Sequence, residues 1–157
     1  MFVCTGNTCR SPMAEGILRD MAKTEGLTNL DVISSGVGTY DGYPPSTNSV
    51  TAASEAGVDI SGLHSNQLVE DLMKESDLIL TMASDHYEKI LSMYPQYADK
   101  LYMLKGFPER VAEPGMSVAD PIGLDLEEYR KTFAEIKTET ERIFPYIKEW
   151  YNKKMKG

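Results

Sequence analysis

Four short apolar runs, separated by stretches patterned as helices, constrain this chain more than any other feature. They are "MFVC" at the start, "DVISSG" at Asp31 to Gly36, "LILTMA" after Asp77, and "KLYML" at Lys100 to Leu104. After the first run, Met13, Ile17 and Met21 recur at helical spacing with Ala14 and Leu18 beside them, and Gly26 supplies a stop. After the second come a small helix from about Ser49 to Ala56, ended by Gly57, and "NQLVEDLMKESD" with Leu68, Leu72 and Met73 inward. The third is followed by a helix from about Ser84 to Met93, stopped by Pro95. A long terminal helix from about Leu126 follows the fourth, with Leu126, Tyr129, Phe133 and Ile136 inward and a kink expected near Pro145. Alternation of this kind predicts an α/β domain: four parallel strands with right-handed helical crossovers in three layers, and a site at the carboxyl ends of the strands.

The 157 residues suffice for one such domain, spanning 1–157. A net charge of −8 argues against nucleic acid as a partner, because a basic face would be needed to displace phosphate counterions. Neither a membrane-length apolar run nor a secretory leader pattern is present, so the reading is a cytoplasmic protein with no membrane association. Only three residues precede the first cysteine, from which a shortened first strand is expected.

Both cysteines, Cys4 and Cys9, fall in the loop "CTGNTCR" between the first strand and the first helix. A metal site would want more company than His64 and His86 offer, and no metal or other cofactor is expected. A structural disulfide is disfavoured in a reducing compartment. The loop instead reads as an anion cradle. Gly6 permits close backbone approach, Asn7 tolerates the left-handed region, and successive N–H groups can curl into a nest at the positive end of the following helix. Ser11 and Pro12 read as the cap and first residue of that helix. Arg10 supplies a planar fork matching two phosphate oxygens. The same positive field favours a thiolate, so Cys4 is expected to be a nucleophile. Cys9 is either packing or a partner that bonds reversibly to Cys4 and shields it from oxidation. Asp120 before Pro121 reads, on its own, as an Asx-Pro turn ahead of a helix.

"VCTGNTCRSPMAE" resembles the phosphate-binding loop of the low-molecular-weight protein tyrosine phosphatase family. The likeness continues through "SSG" after the second run, "GVDISGLHS" at Gly57 to Ser65, "DLILTM" at Asp77 to Met82 and "ADP" at Ala119 to Pro121. The resemblance implies a parallel sheet in the order 2-1-3-4 and phosphorylated proteins as partners. It implies that Cys4 forms a phosphocysteine, that Arg10 and the loop residues Thr5, Gly6, Asn7, Thr8 and Cys9 bind the phosphoryl group, and that Asp120 protonates the leaving group. It implies too that Ser11 bonds near the thiolate, and that Asn7 and His64 brace the loop. His86 receives no role and is expected on a helix surface.

Threonine at Thr5 and Thr8 resembles the bacterial protein-arginine phosphatase branch, whereas tyrosine phosphatases of the family typically carry leucine and isoleucine there. Ile122 and Gly123 after Pro121 depart from the aromatic pair that sandwiches a phenyl ring. Tyr40 and Tyr43 are candidates for one aromatic wall, and Asp41, Asp120 and Asp125 for an acidic rim suited to a guanidinium. Thioredoxin-linked arsenate reductase resembles the same fold but relays through distal cysteines, and none follows Cys9. The expectation is therefore a protein-arginine phosphatase, with a tyrosine phosphatase as the alternative.

Overall fold

The computed structural model describes residues 1–157. Strand β1 (Phe2–Cys4) leads through the cysteine loop into α1 (Arg10–Thr24), and β2 (Ser34–Gly36) is followed by α2 (Thr47–Glu55) and the short α3 (Glu70–Glu75). Then come β3 (Ile79–Thr81), α4 (Ser84–Met93), β4 (Leu101–Met103) and the 31-residue α5 (Leu126–Lys156). The strands form one parallel sheet in the order β2-β1-β3-β4, pairing Val3 with both Ser35 and Thr81 and Leu80 with Tyr102.

Strand periodicity divides the core into layers. Phe2, Cys4, Leu80 and Met82 pack on the face covered by α1 and α5, together with Met13, Ile17, Phe133 and Ile136. Val3, Ile79 and Leu101 point to the other face, against Met73 of α3 and Ile90 of α4. Central strand β1 sends the chain to one side for β2 and receives β3 on the other, so its carboxyl end is the switch point of the sheet. No helix is long and apolar enough to cross a membrane.

Several elements differ locally from expectation. β2 is limited to Ser34–Gly36, the three residues that pair with the three of β1, while the Val32 carbonyl on the outward side accepts from the Arg19 guanidinium at 3.1 Å from Nε and 2.9 Å from Nη2. α3 begins only at Glu70, since Leu68 N–H donates to the Gly36 carbonyl and holds this stretch extended beside β2. α2 starts at Thr47 under the Ser46 hydroxyl, which accepts from Ser49 N–H. α1 starts at Arg10, so Ser11 lies inside the first turn and does not cap it. His86, expected on a helix surface, is 1% exposed.

Candidate active site

The loop after β1 folds around the Cys4 sulfur. Asn7 N–H donates to Cys4 Sγ at 3.3 Å, and Ser11 Oγ lies 2.9 Å from the same sulfur. Asn7 adopts φ 55°, the left-handed region, and is the only residue other than glycine to do so. Its side chain fixes that turn: Nδ2 donates to Ser11 Oγ at 2.8 Å and to Ser34 Oγ at 2.9 Å, while Oδ1 accepts from Asn66 N–H at 2.8 Å. Ser34 donates in turn to Glu15 Oε2 at 2.5 Å, and Glu15 Oε1 is 2.6 Å from Arg19. Burial raises the Glu15 pKa, opposed by the Ser34 hydrogen bond and the Arg19 charge. A continuous polar chain thus runs from Glu15 through Ser34, Asn7 and Ser11 to the sulfur. With both Asn7 hydrogens spent on Ser11 and Ser34, the Ser11 hydroxyl accepts from Asn7, and its proton faces the sulfur at 2.9 Å and the Ser35 carbonyl at 3.5 Å, the shorter contact being to sulfur.

The backbone around this chain is equally directed. The N–H groups of Thr5, Gly6, Thr8 and Cys9 find no acceptor within the protein, while the Cys4, Thr5 and Thr8 carbonyls accept from Val37, Gly38 and Ser46 at 2.9–3.0 Å. Carbonyls are tied outward and amides left available, as an anion nest requires. Gly36 permits this approach, since a Cβ there would stand 2.5 Å from the Thr5 carbonyl oxygen.

Arg10 is 5% exposed. Its Nη1 donates to the Val118 carbonyl at 2.9 Å and its Nη2 lies 3.3 Å from Asp120 Oδ2, which leaves other N–H donors of the fork for a ligand. Val118 N–H donates to the Met82 carbonyl at 2.7 Å, anchoring the acidic loop to the end of β3. Asp120 Oδ1 accepts from Ile122 N–H at 3.1 Å, so the Asx turn read from Asp-Pro is present and leaves the other carboxylate oxygen on Arg10.

Cys9 is a buried free thiol, with Ser46 Oγ and Tyr129 OH each 3.5 Å from its sulfur. Burial and the contact with Cys9 push the Tyr129 hydroxyl up to about 12. Thr8 is half-buried, its hydroxyl 3.8 Å from Cys9 Sγ. His64 is exposed and its side chain makes no hydrogen bond to the loop; the neighbouring Asn66 supplies the brace through its backbone N–H. Tyr40 and Tyr43 are 70% and 53% exposed, and Ile122 is 65% exposed. Of the acidic candidates, Asp41 accepts from Gln67 N–H at 2.7 Å and Asp125 caps α5 through Glu128 N–H at 3.1 Å, which leaves Asp120 as the carboxylate on the arginine.

Sequence reading missed Glu15, Ser34, Asn66 and His86. Glu15 carried a signal, an acidic residue set among Met13, Ala14, Ile17 and Leu18 on the inward face of α1. His86 carried one in its position, three residues past Ala83, at the carboxyl end of the strand beside β1.

Residues 1–154 match the family described as low molecular weight phosphotyrosine protein phosphatase. A protein-arginine-phosphatase of Bacillus subtilis is 36% identical over 149 residues, covering 95% of this chain and 96% of that one. The crystal structure of a low molecular weight protein tyrosine phosphatase from T. tengcongensis is similar with a TM-score of 0.83 at 40% identity, over 92% of this chain and 96% of the other. A YwlE arginine phosphatase variant with serine in place of an active-site cysteine, that serine being phosphorylated, is similar with a TM-score of 0.85 at 33% identity, over 94% and 93% of the two chains.

Proposed function

We propose, from the premise that the chain belongs to the low molecular weight phosphotyrosine protein phosphatase family, that it hydrolyses phosphoarginine in proteins through a phosphocysteine on Cys4. The observation that carries the chemistry is the convergence of the Cys4 sulfur, four unpaired loop amides and the Arg10–Asp120 pair at the carboxyl end of β1.

Each group has one task. The Cys4 thiolate attacks phosphorus in line with the departing nitrogen, and the P–N bond breaks as the S–P bond forms. The Thr5, Gly6, Thr8 and Cys9 amides and the free donors of Arg10 hold the equatorial oxygens, whose charge they are placed to receive without reorganisation. Asp120, protonated at that stage, gives its proton to the leaving guanidine nitrogen and then takes one from the water that attacks the phosphocysteine. The Ser11 hydroxyl stabilises the sulfur as thiolate before attack and as leaving group afterwards. In the variant structure with a phosphorylated active-site serine, a phosphoryl group is held covalently at the nucleophile's position in a similar protein, which supports this assignment.

Arginine as the substrate residue is supported by Thr5 and Thr8 in the loop, by the 36% identity to a protein-arginine-phosphatase, and by the exposed Ile122 after Asp120 and Pro121. The likeness to a tyrosine phosphatase at 40% identity favours phosphotyrosine as the second reading. Steady-state hydrolysis of a phosphoarginine peptide beside a phosphotyrosine peptide decides between them, and a preference for tyrosine overturns the substrate assignment. Cys4→Ser is expected to abolish turnover while inorganic phosphate still binds; unchanged turnover removes the mechanism.

A further inference from the structure

We propose that His86 is a positioning residue of this site, a neutral imidazole that donates from Nε2 to Thr5 Oγ1 and so directs the Thr5 hydroxyl proton onto the phosphoryl group in the loop. The inference rests on the phosphatase reading of the loop, but not on whether arginine or tyrosine carries the phosphate.

The hydrogen bonds determine the tautomer. Ala83 N–H, immediately before α4, donates to His86 Nδ1 at 3.1 Å, so Nδ1 is an unprotonated acceptor and the ring proton sits on Nε2. Nε2 is 2.8 Å from Thr5 Oγ1, which is therefore the acceptor of that bond. A hydroxyl has a single proton, and the Thr5 hydroxyl makes no other hydrogen bond in the protein. Thr5 follows the nucleophile directly and is exposed, and its hydroxyl proton is the one donor left after the bond from His86. A donor whose rotation is already fixed strengthens as charge develops on a phosphoryl oxygen.

The surroundings keep the ring neutral. Arg10 faces it from the start of α1, Asp85 and Lys89 from α4, and Asp120 from the loop before α5. Asp85 Oδ1 stands 3.9 Å from Nε2, but that carboxylate is 77% exposed, whereas the ring is buried. Burial and the Arg10 charge outweigh the two carboxylates and push the His86 pKa down to about 4. Protonation would also set a new N–H on Nδ1 against the Ala83 N–H, two donors face to face.

The test uses the full chain with p-nitrophenyl phosphate and a phosphoarginine peptide as substrates. His86→Phe and Thr5→Val are each expected to lower kcat on both by on the order of tenfold with KM little changed, and the double variant to fall no further than either single one. His86→Gln, whose Nε2 replaces the lost donor, is expected to recover most of that loss. Nitrogen NMR of the imidazole is expected to show the proton on Nε2 and no titration between pH 5.5 and 8. Independent losses in the double variant, a glutamine variant as impaired as the phenylalanine one, or a proton on Nδ1 each overturn the proposal. If His86→Phe does not fold, Thr5→Val and the nitrogen spectrum of the unaltered chain decide. If the unaltered chain turns over neither substrate, the phosphatase reading fails by itself; an Nε2 proton whose resonance shifts in Thr5→Val still supports this placement, and a proton on Nδ1 or an unshifted resonance still overturns it.

Discussion

Asn7 concentrates most of the loop's geometry in one side chain. It occupies a backbone region that costs an ordinary residue roughly 1–2 kcal/mol, and its amide engages Ser11, Ser34 and the Asn66 backbone at once. Asn7→Ala keeps the strain and removes the side-chain bonds that offset it, leaving the Asn66 N–H without an acceptor and Ser11 without a donor. The expected loss is about 1–3 kcal/mol by urea unfolding, with kcat falling more steeply than KM rises, because the Cys4 environment loosens along with the turn. Thr8 acts differently, being half-buried in the loop with its hydroxyl near Cys9. Thr8→Ile adds apolar bulk and removes a hydroxyl, so the ratio of phosphoarginine to phosphotyrosine kcat/KM is expected to fall by at least about tenfold; an equal loss on both substrates denies Thr8 that part. The loop residues were legible in the sequence because the nest, the nucleophile and the arginine lie within seven consecutive positions. Their supports were not, since Ser34, Asn66 and His86 come from three other segments that only the folded sheet brings to the loop.

Among the elements, order and type were legible throughout and ends only in part, since α1, α2 and α3 start away from where the sequence put them. α4 and α5 begin where the sequence placed them, Ser84 and Leu126, the second under an Asp125 cap. Strands of three residues leave little periodicity to read, and the limits of β2 are set by its pairing with β1, while the Asn66–Leu68 stretch bonds its outer side. That stretch pairs with Gly36 in both directions, Gly36 N–H to the Asn66 carbonyl and Leu68 N–H to the Gly36 carbonyl, each at 2.9 Å. The end of β2 is therefore clamped between this segment and the phosphate loop. A methyl at position 36 would meet the Thr39 methyl at 2.8 Å and the Thr5 carbonyl oxygen at 2.5 Å, and the second cannot yield without moving backbone. Gly36→Ala is expected to cost about 1–3 kcal/mol and to weaken inorganic phosphate binding, read by urea unfolding and calorimetry. A change in stability with phosphate affinity intact would show that the nest does not depend on this contact.

At the scale of the whole molecule, the buried titratable groups around the site make stability depend on pH in opposite senses. His86 has its folded pKa depressed to about 4, first by burial and then by Arg10. As pH falls below about 6.5 the unfolded chain binds a proton there that the folded chain refuses, so stability is lost progressively down to about pH 4. Glu15 is shifted the other way, its carboxyl raised chiefly by burial. It favours the folded state at low pH, and that contribution disappears as pH rises through its folded pKa. The two groups sit at opposite ends of the polar constellation that holds the loop, one bonded to Thr5 and the other to Ser34. Removing either should therefore tilt the pH profile in a predictable direction. His86→Gln is expected to flatten the decline between pH 6.5 and 4, by no more than about 1.4 kcal/mol per pH unit, the limit for one proton. Glu15→Gln is expected to steepen the decline toward low pH relative to the unaltered chain, because the group that opposed it is gone. Urea midpoints measured at half-unit intervals from pH 4 to 8 check both, and parallel profiles for all three proteins would mean that neither side chain titrates differently on folding.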